Sequence, residues 1–218
     1  MARDRLAERI AARARVAGVA VESSVADQLG RYLDLLARWN ERMNLTGLAD
    51  DDAGLDRLVV EPLAAAARLP AGKLRMIDIG SGGGSPALPM RLARPDVQLR
   101  MVESKSRKAA FLREAVRQLG LAEAHVDACR YEELATRVGD EGVADVVTVR
   151  AVRLDEEGCA RLSRLVVRGG RLLLFEGPDG NGAELGSTRF VHEGTCALVA
   201  ALKSRLVVLR RIGNEKQK

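Results

Sequence analysis

Apolar residues recur at helical spacing over roughly the first 70 residues, then shift to short unbroken runs. In residues 3–17, Leu6, Ile10, Ala14 and Ala17 share one face and arginines occupy the others, which predicts an amphipathic helix. Ser24-x-x-Asp27 reads as a helix cap, and after it Val25, Leu29, Tyr32, Leu36, Trp39 and Met43 recur at alternating steps of four and three. That stripe predicts a long helix whose apolar face belongs to the core. A third, shorter helix is expected over 54–68.

From Leu74 the pattern alternates between strand and helix. The apolar run Met76, Ile77 and Ile79 and the segments Val97–Val102, Ala144–Val149 and Leu172–Phe175 read as buried strands, and His125–Ala128 as a weaker one. Between them, Lys105–Leu119 predicts a helix with Phe111, Leu112, Ala115 and Leu119 inward and Lys105, Arg107, Lys108, Arg113 and Arg117 outward. Arg130-Tyr131-Glu132-Glu133 opens another helix. A further one, capped by Asp155, is expected to close at Arg168-Gly169-Gly170. A loose loop over Gly177–Gly186 leads to two β-rich segments, 189–201 and 204–211, that fit a closing hairpin. Lys216 and Lys218 end a polar tail. The expected architecture is α/β: a doubly wound, mostly parallel Rossmann-like sheet over 71–218 behind a helical extension over 1–70.

One stretch carries chemistry. After the run Met76-Ile77-Asp78-Ile79, glycines stand at every second position (Gly80, Gly82, Gly84), and Pro86 follows where a helix begins. A strand, a glycine turn and a helix N-terminus together present exposed N–H groups and a positive dipole end to a ligand. Gly82-x-Gly84-x-x-Ala87 fits a dinucleotide fingerprint literally. Asp78, two positions before the first glycine, would repel a pyrophosphate and instead suits an ammonium group, such as the methionine end of S-adenosylmethionine. Asp-x-Gly-x-Gly-x-Gly resembles the first motif of class I methyltransferases; an ordinary glycine turn is the bland alternative. Glu103, at the end of the next strand, stands where a carboxylate accepts from both ribose hydroxyls of a nucleoside cofactor. Arg150 ends the strand Ala144–Val149. Asp78, Glu103, Tyr131, Glu132 and Arg150 all fall at the strand ends where such sheets bind ligands.

Composition excludes several classes. Aromatics at 3% argue against a stacking platform for single-stranded nucleic acid. A net charge of +5 permits a polyanionic partner, and the bias is local: residues 91–117 hold eight Lys or Arg against three acids. Cys129, Cys159 and Cys196 are far apart with no Cys-x-x-Cys pair, which argues against a disulfide framework or a metal site and for a reducing, cytoplasmic setting. No apolar run approaches a membrane span, and the arginine-dotted start has no signal-peptide core. His125 and His192 lack partner motifs and read as structural.

Beyond these readings, the chain resembles the RsmG (GidB) methyltransferases of bacteria. Trp39-Asn40…Asn44-Leu45-Thr46 looks like that family's N-terminal signature, and Asp78 to Pro89 like its cofactor loop, with Pro86 and Pro89 in register. Glu103-Ser-x-x-x-Lys108-x-x-Phe111-Leu112-Arg113, Arg130-Tyr131-Glu132-Glu133 and Val147-Thr-Val-Arg150-Ala151 match three further blocks. The resemblance implies S-adenosylmethionine as methyl donor and a guanine N7 in the 530 loop of 16S rRNA, in the small ribosomal subunit, as acceptor. By position it implies cofactor contacts from Gly80, Ser85, Tyr131, Glu132 and Arg150, the last also facing the reaction as the candidate catalytic residue. A monomer is expected.

The chain departs from the family pattern at several places. Ser85 stands where an aromatic or leucine is usual, Val59-Val-Glu61-Pro-Leu replaces a His-x-x-Asp-Ser segment, and Glu176-Gly177 replaces Lys-Gly. The helix expected next is reduced to the Gly180–Gly186 loop. Two other readings therefore stay open: a methyltransferase of the same fold acting on a protein or small molecule, and a binding homologue with impaired catalysis.

Overall fold

The computed structural model describes residues 2–47, 51–139, 141–152, 154–180, 182 and 189–213. Its N-terminal helices are α1 (Ala2–Val16) and α2 (Ser23–Met43). Ile10 and Ala14 of α1 and Leu29, Tyr32 and Leu36 of α2 are buried, as the apolar stripes require. The predicted Ser24–Asp27 cap is not what starts α2. The helix begins at Ser23 behind Glu22, which makes no side-chain capping bond; the chain enters it on Val19 and Val21, which pack against the core.

The third helical stretch is continuous over 52–66, two residues earlier than expected at each end. Asp51 starts it by accepting from the Gly54 N–H at 2.7 Å. It comprises α3 (Asp52–Leu55), a π turn (Asp56–Val60) and α4 (Glu61–Ala66). The buried Asp56 carboxylate is tied to α1 by Arg13, whose Nε donates to its Oδ1 at 2.9 Å.

Seven strands follow: β1 (Leu74–Ile79), β2 (Val97–Val102), β3 (Ala124–Asp127), β4 (Ala144–Arg150), β5 (Val166–Glu176), β6 (Phe190–Ala197) and β7 (Arg205–Arg211). Between them lie α5 (Ala87–Ala93), α6 (Ser106–Gln118), α7 (Tyr131–Val138) and α8 (Glu156–Ser163). The sheet runs β3-β2-β1-β4-β5-β7-β6, with β1 to β5 parallel and the β6–β7 hairpin closing it antiparallel. Side chains of β1 alternate between two apolar layers. Met76 joins Ile10, Leu29, Tyr32, Leu88 and Phe111 on one side; Ile77 and Ile79 join Val147, Leu162 and Leu172 on the other. Trp39 meets Phe111 edge-on at 5.7 Å, which fastens α2 to α6.

Helix α8 is capped by Asp155 as expected, accepting from the Gly158 N–H at 2.7 Å, but it ends at Ser163. Gly169 and Gly170 therefore lie inside β5 rather than closing the helix. Gly169 has φ +76°, and a Cβ on Gly170 would come 2.8 Å from the Asp145 carbonyl oxygen. The β4–β5 register shifts between Ala144 and Val146, so these glycines serve a strand irregularity that needs close backbone approach. Half of the expected Gly177–Gly186 loop (residues 181 and 183–186) and the Lys216 and Lys218 tail lie outside the described residues.

Candidate cofactor-binding site

The strand order reverses between β1 and β4, and at that point the sheet opens a crevice above its carboxyl ends. Four successive strand-end loops line a cleft of about 300 Å³ there: Ile79 and Gly80 after β1, Val102 and Ser104 after β2, Cys129 to Glu132 after β3, and Val152 after β4. A roomier cleft, about 470 Å³, lies against β5, β6 and β7 and is lined by none of the strand-end residues singled out above.

The glycine loop is held from both sides. Gly80, Gly82 and Gly84 have φ of +70°, +51° and +88°, values that side-chain-bearing residues rarely adopt. On the sheet side, the Gly80 and Ser81 N–H groups donate to the Val102 carbonyl at 2.9 and 3.2 Å. Gly82 N–H donates to Glu103 Oε2 at 2.9 Å, and the Lys105 N–H to Oε1 at 2.8 Å. On the opposite side, the Tyr32 hydroxyl donates to the Gly83 carbonyl at 2.7 Å, and Ser85 Oγ donates to the Leu58 carbonyl at 2.6 Å.

Each residue singled out in the sequence has a definite place. Gly80, Tyr131 and Glu132 line the cleft, and burial pushes the Tyr131 phenol above its ordinary range. Glu103 is buried at the β2 end, and its two oxygens each hold one backbone N–H, leaving further lone pairs for a ligand. Asp78 is 1% exposed. Thr148 Oγ1 donates to its Oδ1 at 2.6 Å, its Oδ2 has no hydrogen-bond partner among the described residues, and burial pushes the carboxyl up to about 6. It lies beneath the loop rather than in the cleft wall. Ser85 is likewise not a wall residue, because its hydroxyl is spent on Leu58.

Arg150 departs most from its expected place. Its Nη1 donates to the Arg57 carbonyl at 2.6 Å and its Nη2 to the Ser85 carbonyl at 2.9 Å. Glu61 Oε2 stands 3.9 Å from Nη1. Burial lowers the Arg150 pKa and raises that of Glu61, whose Oε1 is buried without a hydrogen bond. Arg150 thus joins the β4 end, the glycine loop and the 52–66 helical segment, and does not line the cleft. The sequence reading missed Ser104, Cys129 and Val152 as wall residues; their signal was positional, since each follows a strand end.

These residues suit a nucleoside cofactor with a charged amino-acid end. A Cβ on Gly80 would come 2.8 Å from Val152 Cγ2, so only glycine keeps this corner open. The Glu103 carboxylate is fixed at the β2 end by two backbone N–H groups and keeps further acceptor capacity. Parallel β1 to β5, the reversed final hairpin and the glycine crevice define the class I S-adenosylmethionine-dependent methyltransferase fold. Solved structures with the same fold include the mitomycin 7-O-methyltransferase MmcR (TM-score 0.60, 18% identity, 85% of this chain and 63% of that one). Another is the precorrin-6y C5,15-methyltransferase of Geobacter metallireducens (TM-score 0.52, 14% identity, 77% and 92%).

Within that class, residues 25–189 match the GidB family model, described as rRNA small subunit methyltransferase G. The chain is 37% identical over 190 residues to the ribosomal RNA small subunit methyltransferase G of Stenotrophomonas maltophilia, covering 86% of each chain. It is 35% identical over 168 residues to that of Syntrophotalea carbinolica, covering 77% of this chain and 76% of the relative. The chain belongs to the GidB family.

Proposed function

We propose that this protein transfers a methyl group from S-adenosylmethionine to ribosomal RNA of the small subunit, at a guanine N7 of the 530 loop in 16S rRNA. The observation that carries the donor half is the cleft at the ends of β1, β2, β3 and β4, which the glycine turn enters at Gly80. Gly80, Gly82, Gly84 and Glu103 would hold the nucleoside, Asp78 would favour the cationic end from beneath the loop, and Tyr131 and Glu132 would flank the other wall. The relatives' printed activity supports the acceptor half. When bound, S-adenosylmethionine supplies an electrophilic methyl on its sulfonium. A guanine N7 carries a free lone pair at neutral pH, so this acceptor asks the protein for no general base. What the chain must supply is alignment, which contributes roughly 7–11 kcal/mol when reacting atoms are held at near-attack distance.

Four cations near the cleft support a polyanionic acceptor. Lys105, Arg107 and Lys108 begin α6 beside the wall residue Ser104, and Arg130 lines the cleft itself. Glu103, the acid nearest in sequence to Lys105, Arg107 and Lys108, is turned inward onto two backbone N–H groups, and none of these three makes an ion pair with the described residues. A structured guanine must be unstacked before its N7 meets a buried donor. The protein is read as a cytoplasmic monomer; among the described residues no helix is long and apolar enough to cross a membrane.

Incubation with labelled S-adenosylmethionine and small subunits lacking the modification tests this reading. Label in 16S rRNA supports it. Label only in a protein or small molecule moves the acceptor, and binding without transfer leaves a binding homologue.

A further inference from the structure

The N-terminal signature Trp39-Asn40…Asn44-Leu45-Thr46 and the buried Tyr32 of α2 are not used by the cleft just described, yet both press on the loop that forms it. Asn40 Oδ1 accepts from the Thr46 N–H at 2.9 Å, and Asn44 takes the left-handed conformation (φ +47°) that ends α2. This tight exit turn lays the Leu45 backbone over the glycine loop. A Cβ placed on Gly83 would stand 3.2 Å from Leu36 Cδ1 and 3.4 Å from the Leu45 carbonyl oxygen. Gly83 therefore owes its identity to close approach by α2, not to positive φ. Tyr32, 0% exposed, donates to the Gly83 carbonyl at 2.7 Å, 51 residues on in sequence. Charge on its phenol is disfavoured, since burial raises its pKa, so the hydroxyl stays a donor.

We infer that Tyr32 is a positioning residue for the cofactor loop, and that the N-terminal helices form its outer half. The loop contains four glycines among its six residues, Gly80 to Ser85, and fixing such backbone is entropically costly. The N–H groups of Gly80, Ser81 and Gly82 face β2 and Glu103, and that of Gly84 turns back to the Ser81 carbonyl, so the sheet holds one side only. The carbonyl at the tip is held by Tyr32, and Leu36 with Leu45 closes the space into which Gly83 would otherwise move. A loop already held in one shape binds its ligand without first losing those alternatives.

This inference rests on the reading of Gly80–Ser85 as the cofactor loop, and the test separates the two. Binding of S-adenosylhomocysteine is measured by calorimetry for wild type, Tyr32→Phe and Leu29→Val, with thermal melting of each protein with and without that ligand. Tyr32→Phe keeps the ring in the core and removes only the donor; Leu29→Val loosens the same buried stripe one turn earlier without touching the loop. The expected result for Tyr32→Phe is a dissociation constant raised about tenfold, the effect of one lost buried hydrogen bond. Its ligand-induced melting shift should shrink, and in turnover the cofactor KM should rise while kcat at saturation stays unchanged. Leu29→Val should lower the melting temperature and leave affinity as in wild type. Equal affinity in Tyr32→Phe and wild type overturns the inference, as does an equal affinity loss in Leu29→Val. Failure of the wild type to bind the ligand overturns the cofactor-loop reading itself.

Discussion

Thr148 donates to Asp78 Oδ1 at 2.6 Å across the β1–β4 pairing, and none of the described residues hydrogen-bonds Oδ2 of the same carboxylate. A buried acceptor with one oxygen satisfied is held at a cost, and the carboxyl responds by titrating near 6 instead of 3.8.

The folded pKa lies above the unfolded one, so between pH 4 and 6 the folded state keeps a proton that the unfolded chain has released. Stability from this group is fully present below about pH 4, declines as pH rises, and levels off above about 6, a change of about 3 kcal/mol. Asp78→Asn should remove that decline, so urea denaturation from pH 4.5 to 8 should show the variant gaining on wild type as pH rises. An unchanged slope would place the titration elsewhere.

Glu103 was expected to matter for the ligand alone, as a residue at a strand end. The structure gives it a second duty, because Gly82 and Lys105 both donate to its carboxylate. Glu103→Ala should therefore weaken S-adenosylhomocysteine binding by roughly 1.5–3 kcal/mol and also lower stability by about 1–3 kcal/mol, as two N–H groups lose their acceptor. Calorimetry paired with urea denaturation separates the effects. Lost affinity at full stability would favour ribose contact as the sole role.

Arg150 yields a different expectation from the one its strand-end position gave. Arg150→Ala leaves the Ser85 and Arg57 carbonyls without their donor and the buried Glu61 carboxylate with less compensation. Stability should fall by about 3–5 kcal/mol, as when one partner of a buried pair is removed. Adding Glu61→Gln should restore part of that loss, since it removes a buried charge left with Arg57, 3.6 Å away, as its remaining ion-pair partner among the described residues. Two losses that simply add in urea denaturation would show that the two side chains act independently.

The fold was largely legible because periodicity reports burial. The α2 stripe from Leu29 to Leu36 and the runs that became β1, β2 and β4 follow directly from apolar spacing. Gly169-Gly170 misled because a helix end and a strand bulge ask the same freedom of glycine, and only the neighbouring Asp145 carbonyl distinguishes them. At the site, Gly80, Tyr131 and Glu132, which lie in the loops that follow β1 and β3, line the crevice. What pattern could not reveal was where long side chains go. Arg150 turns back onto the 52–66 helical segment, Ser85 reaches Leu58, and Tyr32, read as core, sends its hydroxyl to Gly83. Each of these bonds links segments remote in sequence, and no local period encodes them.

The final prediction concerns the acceptor. Lys105 and Arg107 are exposed and Lys108 half-buried at the start of α6, and none of the three makes an ion pair with the described residues. Farther along the same helix, Arg117 is paired with Glu114 at 2.7 Å, so it is the helix start beside the cleft that keeps free positive charge. If RNA crosses this rim, its phosphates displace counterions there, and binding weakens steeply with salt. Replacing Lys105, Arg107 and Lys108 together by Gln should lower affinity for the small subunit and reduce the log–log salt slope by about 2 to 3. Affinity for S-adenosylhomocysteine should stay within about twofold of wild type, since surface charges at this distance are screened. The measurement is RNA binding at several salt concentrations, alongside calorimetry of the cofactor product. Salt dependence identical to wild type would mean that this face is only solvated, and that the RNA reaches the cleft past other residues.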